Sequence, residues 1–521
     1  MQVPYIYAIA YISVLALVIS WRLYQFLTAR ARDHVFAVLS KWLVYTVVLA
    51  RANGSSDITV AAGFVVLCTL VGNIVSAVIA IPSQADFSTR LARLCLTNLV
   101  VLFFGGRTNF IADRIFRLSH SEYYLVHRWI GRICVLEGLI HGVLSALQRR
   151  KPLRAIDITL ISLTGTIAVC SIVYIRRRLY ELFLQLHTIA SVALLVFIWL
   201  HLNRPSPYVI ACISSAASLF IFQKILWVIH CLYRNTGSGP RCQASITRFQ
   251  SNGNHKEEVY QVCVDIRRPW HVTPGQFVYL SLPHSRSLGL GLLEFHPFMV
   301  AWAFHDEKDQ LKSIVLIVQR RRGFTRKLGL TDAITPAIID GPYGGIDFKE
   351  LARYDKVLLM SSGTGIAAHL YMTRHLLLAH NQQTARVRRL TLLWFLETSD
   401  QIQWAKEYLH ALNHLDHRQI LTIYLLCPNE TEAVAEGGFN DSKITEARMF
   451  PISSSLDMAM FIEGEWGAEA GNMLVTVCGD SKFEKRARLA IRASPHDINL
   501  RTSVYLPDET YMSKMSTSRY K

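Results

Sequence analysis

The sequence predicts a multidomain chain: an α-helical transmembrane bundle of about seven spans, followed by an antiparallel β-barrel domain and a parallel α/β nucleotide-binding domain. Three observations carry this. Long apolar stretches dominate the first part of a 521-residue chain that is 51% hydrophobic, with a mean hydropathy of +0.26. After "YRNTGSG" (233–239) short β-rich runs alternate with turn residues. From 355 onward, buried strands alternate with helical stretches. The implied domains are 1–235, 238–345 and 346–521.

The net charge of +17 suits nucleic acid or an anionic membrane. Basic groups such as "RARD" (30–33) and "RRR" (176–178) flank apolar spans, so the expected partner is the lipid bilayer. No zinc knuckle or RNA-binding aromatic signature supports nucleic acid, which is excluded. The ten cysteines form no C-x-x-C pair, and Cys68, Cys95, Cys134, Cys170 and Cys212 lie in apolar spans. A disulfide framework or zinc site is therefore not expected. "MQVPYIYAIAYISVLALVIS" lacks a basic start and a small-residue cleavage site, and is read as a retained span.

A spanning helix needs ~20 mostly apolar residues. The candidates are about 4–21, 58–81, 91–105, 123–147, 156–175, 180–201 and 208–231, the third short and partly re-entrant. Residues 35–50, with Lys41 among them, read as an interfacial segment. Seven spans and a cytosolic C-terminal half put the N-terminus outside, and most loop arginines and lysines then fall inside. "QRRKPLR" (148–154) breaks that rule by facing outward. Its Arg149, Arg150, Lys151 and Arg154 would attract an anionic acceptor, or else anionic headgroups.

"HRWIGRICVLEGLIH" opens on His127 and closes on His141; "HTIASVALLVFIWLH" opens on His187 and closes on His201. At about 100° per residue, the 14-residue step falls about 40° short of four turns. Each pair thus shares one helix face, ~21 Å apart along the axis. The two helices lie two spans apart and run parallel, so His127 should face His187 near the inside and His141 face His201 near the outside. A lone intramembrane histidine is ordinarily a satisfied polar group or part of a proton path. Two equally spaced pairs on alternate spans point instead to two haems with histidine at both axial positions. His120 and His230 lack such a pattern and read as interfacial. Arg128 and Arg132 would meet haem propionates or snorkel to the inner surface.

In the soluble half, "CQASITRFQ", "EVYQVCVDI", "GQFVYLSL" and "SIVLIVQR" suggest a small antiparallel barrel at about 240–345. "KVLLMSS", "LTLLWFLE", "QILTIYLL" and "MLVTVCGD" read as strands of a parallel α/β layout. Three features carry chemistry. "HPFMV" (296–300) ends a barrel strand, while "RRRGFTRKL" (320–328) and "SSGTGIAAH" (361–369) put glycine turns before helical stretches. Free N–H groups at such turns suit a pyrophosphate.

The spaced histidines, "HPF", "GPYG" (341–344), "GTGIAAH", "LLWFLE…DQIQWAKEYL" and "CG" (478–479) occur in one order, and in that order the chain resembles the ferric reductase / NADPH oxidase superfamily, most closely the fungal ferric-chelate reductases. The resemblance runs from about 58 to 512. It implies FAD on the barrel, beside His296, Pro297, Phe298 and Met299, with Gly323 and Thr325 near its pyrophosphate. NADPH is implied on the α/β domain, cradled by Gly341, Pro342, Tyr343 and Gly344 and by Gly363, Thr364, Gly365 and Ile366. Cys478 and Gly479 would adjoin the nicotinamide, and Tyr511, in "VYLPDETYM", takes the place of the aromatic that stacks on the flavin. Cys478 and Tyr511 are thus the implied catalytic positions, and His127, His141, His187 and His201 the ligands of two haems b. Three departures stand out: Met299 where the family has Thr or Ser, "CGD" for "CGP", and about nine residues after Tyr511.

The resemblance implies electron transfer from cytosolic NADPH through FAD and the haems to an extracytoplasmic ferric chelate, with cupric chelates as an alternative. It further implies a plasma-membrane setting and an iron-uptake permease or oxidase as partner. A superoxide-producing NADPH oxidase is the competing activity; the short outer loops 82–90, 148–155 and 202–207 favour a bulky chelate instead. A haem-bearing subunit without reductase activity is motivated by Met299 and "CGD". A transporter with histidine relays leaves the soluble half unexplained.

Overall fold

The structure is a computed structural model, described over residues 3–27, 42–43, 46–49, 58–80, 83–104, 120–148, 152–237, 241–249, 258–285, 291–292, 294–321, 323–330, 333–427, 449–452 and 456–503. Described residues up to Val228 form one compact unit and those from Ile229 to Ser503 another. The divide falls inside a helix, a few residues before the expected boundary at 235.

The first unit is helical. Seven helices match the seven apolar stretches: α1 Val3–Leu27, α2 Val60–Val78, α3 Gln84–Leu102, α4 His120–Gln148, α5 Ala155–Cys170, α6 Tyr180–His201 and α7 Pro207–Asn235. Four are long and apolar enough to cross a membrane: α2, the 123–148 part of α4, α6 and α7. The chain is therefore an integral membrane protein. The others depart from the expectation for physical reasons. The apolar parts of α1 and α5 are short, at Ile6–Trp21 and Ala155–Cys170, and α3 begins with Asp86, Arg90 and Arg93 in place of the apolar start expected at 91. Arg90 is engaged locally, its guanidinium donating to the carbonyls of Ile79 and Ala80 just past the end of α2. Of the 35–50 stretch, read as an interfacial segment, Val47–Leu49 pairs as a short strand with Ile58–Thr59, and most of the rest lies outside the described residues.

Large apolar side chains such as Phe64, Leu136, Leu147, Ile189 and Leu200 point away from the protein interior. That arrangement suits lipid as the surrounding medium. Inside, Leu96, Leu99, Cys134, Leu195, Ile213 and Ala216 pack together. Beside them lies a buried polar network. The Asn98 amide donates to Asn73 Oδ1 at 2.8 Å and to Glu137 Oε2 at 2.8 Å, and the Tyr7 hydroxyl donates to Asn98 Oδ1 at 3.4 Å. Buried polar groups in a membrane helix must satisfy one another in this way.

The second unit begins with antiparallel strands. β1 Gln243–Arg248, β2 Val259–Asp265, β3 Gln276–Ser281, β4 His296–Met299, β5 Trp302–His305, β6 Leu311–Gln319, β7 Ile334–Pro336 and β8 Ile338–Gly344 fall into two sheets, ordered β5-β6-β2-β1-β7 and β8-β3-β4. Val262, Leu280, Phe298, Leu316 and Phe324 fill one apolar core shared by both. The alternation of β2, with Tyr260, Val262 and Val264 inward, is what a one-sided sheet requires.

A six-stranded parallel sheet follows: β9 Lys356–Ser362, β10 Arg389–Phe395, β11 Leu421–Leu426, β12 Met449–Ile452, β13 Met473–Cys478 and β14 Ile498–Thr502, in the order β12-β11-β10-β9-β13-β14. Near-continuous burial of β9 and β13 explains their unbroken Val/Leu/Met runs. Strand order reverses between β9 and β13, and such a switch point opens a crevice at the carboxyl ends of the two strands. The β-sheet and α/β parts share a core: the Trp302 and Tyr408 rings lie 5.1 Å apart and the Gln261 amide donates to the Tyr408 hydroxyl at 2.7 Å.

Candidate functional site

The membrane unit brings the first histidine pair together. His127 on α4 and His187 on α6 have ring centroids 6.2 Å apart and planes at 64°. A metal ion bonded to a nitrogen of each ring at ~2 Å per bond fits that separation. Among the described residues His187 Nδ1 is buried without a hydrogen-bond partner, and Tyr123 brings its hydroxyl to 3.4 Å from His127 Nδ1. At the other level, His141 Nδ1 lies 2.9 Å from the Ser88 carbonyl oxygen and 3.0 Å from its hydroxyl. His201 Nδ1 lies 2.8 Å from Asp157 Oδ1. Contacts of this kind fix a ring's tautomer and leave Nε2 to a ligand, and the separation of His127 and His187 fits one haem held between two histidines. Sequence reasoning missed Ser88 and Asp157; the one signal for Asp157 was a lone acid in an apolar helix.

The flanking cations are engaged locally: Arg128 Nε donates to the Tyr124 carbonyl at 3.1 Å and the Arg132 guanidinium stacks 4.8 Å from the Trp129 ring centre. Arg154 pairs with Asp157 at 3.1 Å, so it is not simply a loose surface charge, while 149–151 lie outside the described residues. His230 has partners on the β part. Its Nε2 lies 3.0 Å from the Gly341 carbonyl, with its ring 6.2 Å from Tyr343.

On the β-sheets, His296, Pro297, Phe298 and Met299 form β4, paired residue for residue with Leu280 to Phe277. The His296 ring stacks on Phe324 at 4.6 Å and 21°. Phe324 opens a four-residue helix whose N-cap is Gly323. Thr325 Oγ1 accepts from the Arg321 N–H at 2.8 Å, which closes that turn. Met299 is 5% exposed and packs in the apolar cluster with Trp302, Ala301 and Val315. "GPYG" is the end of β8, not a free loop, with Gly341–Pro342 in cis and the Tyr343 hydroxyl donating to the buried Asp340 at 2.5 Å.

The parallel sheet joins the two remaining motifs. Gly363, Thr364, Gly365 and Ile366 form one tight turn after β9, and Cys478 and Gly479 follow on from β13 beside it. A Cβ on Gly365 would lie 2.2 Å from the Cys478 carbonyl oxygen, so only glycine permits this approach. Gly363 has φ +51° and open space around it, while its carbonyl accepts from Trp394 Nε1 at 2.9 Å. The Cys478 side chain is fully buried, so the backbone of 478–479 is what borders the turn. Beneath it His369, also fully buried, lies 2.6 Å from Ser361 Oγ and 2.9 Å from Thr476 Oγ1. Burial pulls its pKa from the ordinary 6.5 down to about 3. Tyr511 lies outside the described residues.

The described parts are thus a helical membrane part in which His127 and His187 meet, an antiparallel β part and an α/β part with a switch point. Family profiles name these parts more closely. "Ferric reductase like transmembrane component" matches 90–198, "FAD-binding domain" matches 251–346 and "Ferric reductase NAD binding domain" matches 354–491. The chain thus matches, in order, a ferric-reductase-like transmembrane component, an FAD-binding domain and a ferric reductase NAD-binding domain. Among curated relatives, "Ferric/cupric reductase transmembrane component 2" of Saccharomyces cerevisiae is 25% identical over 285 residues, 51% of this chain and 37% of that protein. The Schizosaccharomyces pombe protein of the same name is 23% identical over 482 residues, 79% of this chain and 78% of its own length. The chain therefore matches well under half of the Saccharomyces relative. Among solved structures, a flavohemoglobin from Malassezia yamatoensis is 14% identical with a TM-score of 0.36, covering 81% of this chain and 98% of that one.

Proposed function

We propose that the chain is a transmembrane ferric-chelate reductase that takes electrons from cytosolic NADPH and delivers them to extracytoplasmic Fe(III), with Cu(II) as a second acceptor. The observation that carries it is the histidine arrangement, with His127 and His187 rings 6.2 Å apart on two membrane-capable helices of a chain that also has FAD- and NAD-binding domains. The finer architecture belongs to the same reading: seven spans, domains at 1–235, 238–345 and 346–521, a closed flavin barrel, and a plasma-membrane location with both nucleotide domains cytosolic.

When bound, nicotinamide supplies a hydride, flavin converts it to single electrons and haem carries those across the apolar barrier. The chain's own residues do the holding. His127 and His187 would bind one haem and His141 and His201 the other, each through Nε2. His296 to Met299, with Gly323 and Thr325, would form the flavin's seat. The Thr325 oxygen already accepts from Arg321, which leaves its proton to donate. The Gly363–Ile366 turn and the Cys478–Gly479 backbone would hold the nicotinamide nucleotide, with Gly341 to Gly344 beside it. Because the Cys478 thiol is enclosed, its place is to shape that backbone. Tyr511 is proposed to stack on the flavin.

The test is purified protein given NADPH and either ferric citrate or oxygen alone. Ferric reduction that far outruns superoxide formation is expected. Superoxide formation at an equal or greater rate would make the chain an oxidase, and an absence of both with haem bound would make it a non-reducing subunit.

A further inference from the structure

We propose that Asp157 is a positioning residue for His201 and that, together with Arg154, it sets the reduction potential of the haem that His201 would hold. This rests on the haem assignment above. Asp157 lies in the first turn of α5, 7% exposed, in the otherwise apolar "AIDITLISLTGTIAVC". One carboxylate oxygen completes the local helix start, with Oδ2 accepting from the Arg154 backbone N–H at 3.1 Å. The other is not needed for that. Oδ1 reaches His201 Nδ1 at 2.8 Å on a different helix and accepts from Arg154 Nη2 at 3.1 Å.

The arrangement can serve either tautomer, and iron at Nε2 would select one. Arg154 Nη2 also lies 3.1 Å from His201 Nδ1, and an imidazole protonated on Nε2 would accept there. An imidazole that gives Nε2 to iron must carry its proton on Nδ1, and Asp157 is then the acceptor. Arg154 keeps Oδ1 and the His201 carbonyl, 3.3 Å away, as its partners. A carboxylate on the far nitrogen makes imidazole a more basic ligand. Greater basicity favours ferric over ferrous iron and lowers the potential. The Arg154 charge on the same carboxylate opposes this; at 42% side-chain exposure, solvent weakens it. The other axial histidines are placed differently: His141 faces the Ser88 carbonyl and hydroxyl, and His187 Nδ1 has no partner among the described residues.

Opposite charges on one ligand predict opposite shifts, which a merely structural role would not produce. In haem-loaded full-length protein, spectroelectrochemical titration should show Asp157→Asn raising one midpoint potential by about 59 mV or more, a tenfold change for a one-electron couple. Arg154→Gln should lower the same potential by less, and the second haem should move little. Both variants should retain two haems and a low-spin spectrum. Unchanged potentials with two haems present, or shifts of the same sign, would overturn the proposal. Loss of one haem from Asp157→Asn, restored by Asp157→Glu, supports the positioning role; loss from both variants overturns it. His201→Ala separates the two readings: if it retains both haems the haem assignment itself fails, whatever Asp157 does.

Discussion

Replacing Gly365 with alanine should disable hydride delivery while leaving the fold standing. The new Cβ would sit 2.2 Å from the Cys478 carbonyl oxygen, 2.8 Å from its carbonyl carbon and 3.3 Å from the Gly479 nitrogen. Ordinary contact begins at 3.4 Å, so the turn and the strand end are left more than 1 Å too close. Neither side yields easily. The obstacle is backbone, and β13 is paired on both flanks, to β9 and to β14. Overpacking of this kind costs about 1–3 kcal/mol, which the large α/β core tolerates. What moves is the turn itself, and a ~1 Å misplacement of a binding element can cost ~100-fold in rate. Gly363→Ala is the internal control. Its Cβ meets nothing within 4 Å, and only its φ of +51° is penalised, by roughly 1–2 kcal/mol. Stopped-flow measurement of flavin reduction by NADPH, alongside flavin and haem content, makes the comparison. Gly365→Ala should lose about two orders of magnitude in kcat/KM for NADPH with cofactor content intact, and Gly363→Ala much less. A Gly365→Ala protein with the parent's kcat/KM would show that the close approach of 365 to 478 has no bearing on the nucleotide.

Alanine at His127, His141, His187 or His201 should each reduce haem content from two per chain to one, read by pyridine haemochrome assay; two haems in any of them removes that residue as a ligand. Met299→Thr should destabilise the flavin unit by roughly 1–3 kcal/mol, because it buries a hydroxyl in an apolar cluster, so thermal flavin release should come earlier; an unchanged transition with tighter flavin would place residue 299 against the isoalloxazine. His369 is held neutral, with its pKa at about 3 in the fold against 6.5 ordinarily. Between those values the unfolded chain binds the extra proton, so stability is fully present above about 6.5 and falls as pH drops, by at most about 1.4 kcal/mol per pH unit; His369→Gln should flatten that slope in acid-unfolding curves. Neutralising Arg149, Arg150 and Lys151 should raise the KM for ferric citrate more than for a neutral acceptor and weaken its salt dependence, and equal changes for both acceptors would reject steering.

What the sequence revealed and what it hid follow one physical division. Local pattern was legible: apolar length found the helices of the membrane unit, and period and turn residues found β1, β2, β3 and β9. The 14-residue step on two helices likewise foretold that His127 and His187 would meet. Properties set by a distant neighbour were not legible. The Asp86, Arg90 and Arg93 start of α3 argues against a simple span until Arg90 is seen capping the end of α2. Cys478 is implied only as a position adjoining the nicotinamide, and nothing local shows that Gly365 closes over its carbonyl. Asp157 stands in the sequence as a lone acid in an apolar run, and only the fold brings His201, 44 residues on, to 2.8 Å. In each case the local role is real, and a second partner contributed by another element changes what the residue does. A charged residue inside an apolar segment is therefore the place to look, because burial there is tolerated only when every polar atom is answered. Asp157 Oδ2 answers its own helix, and Oδ1 is shared by Arg154 and His201.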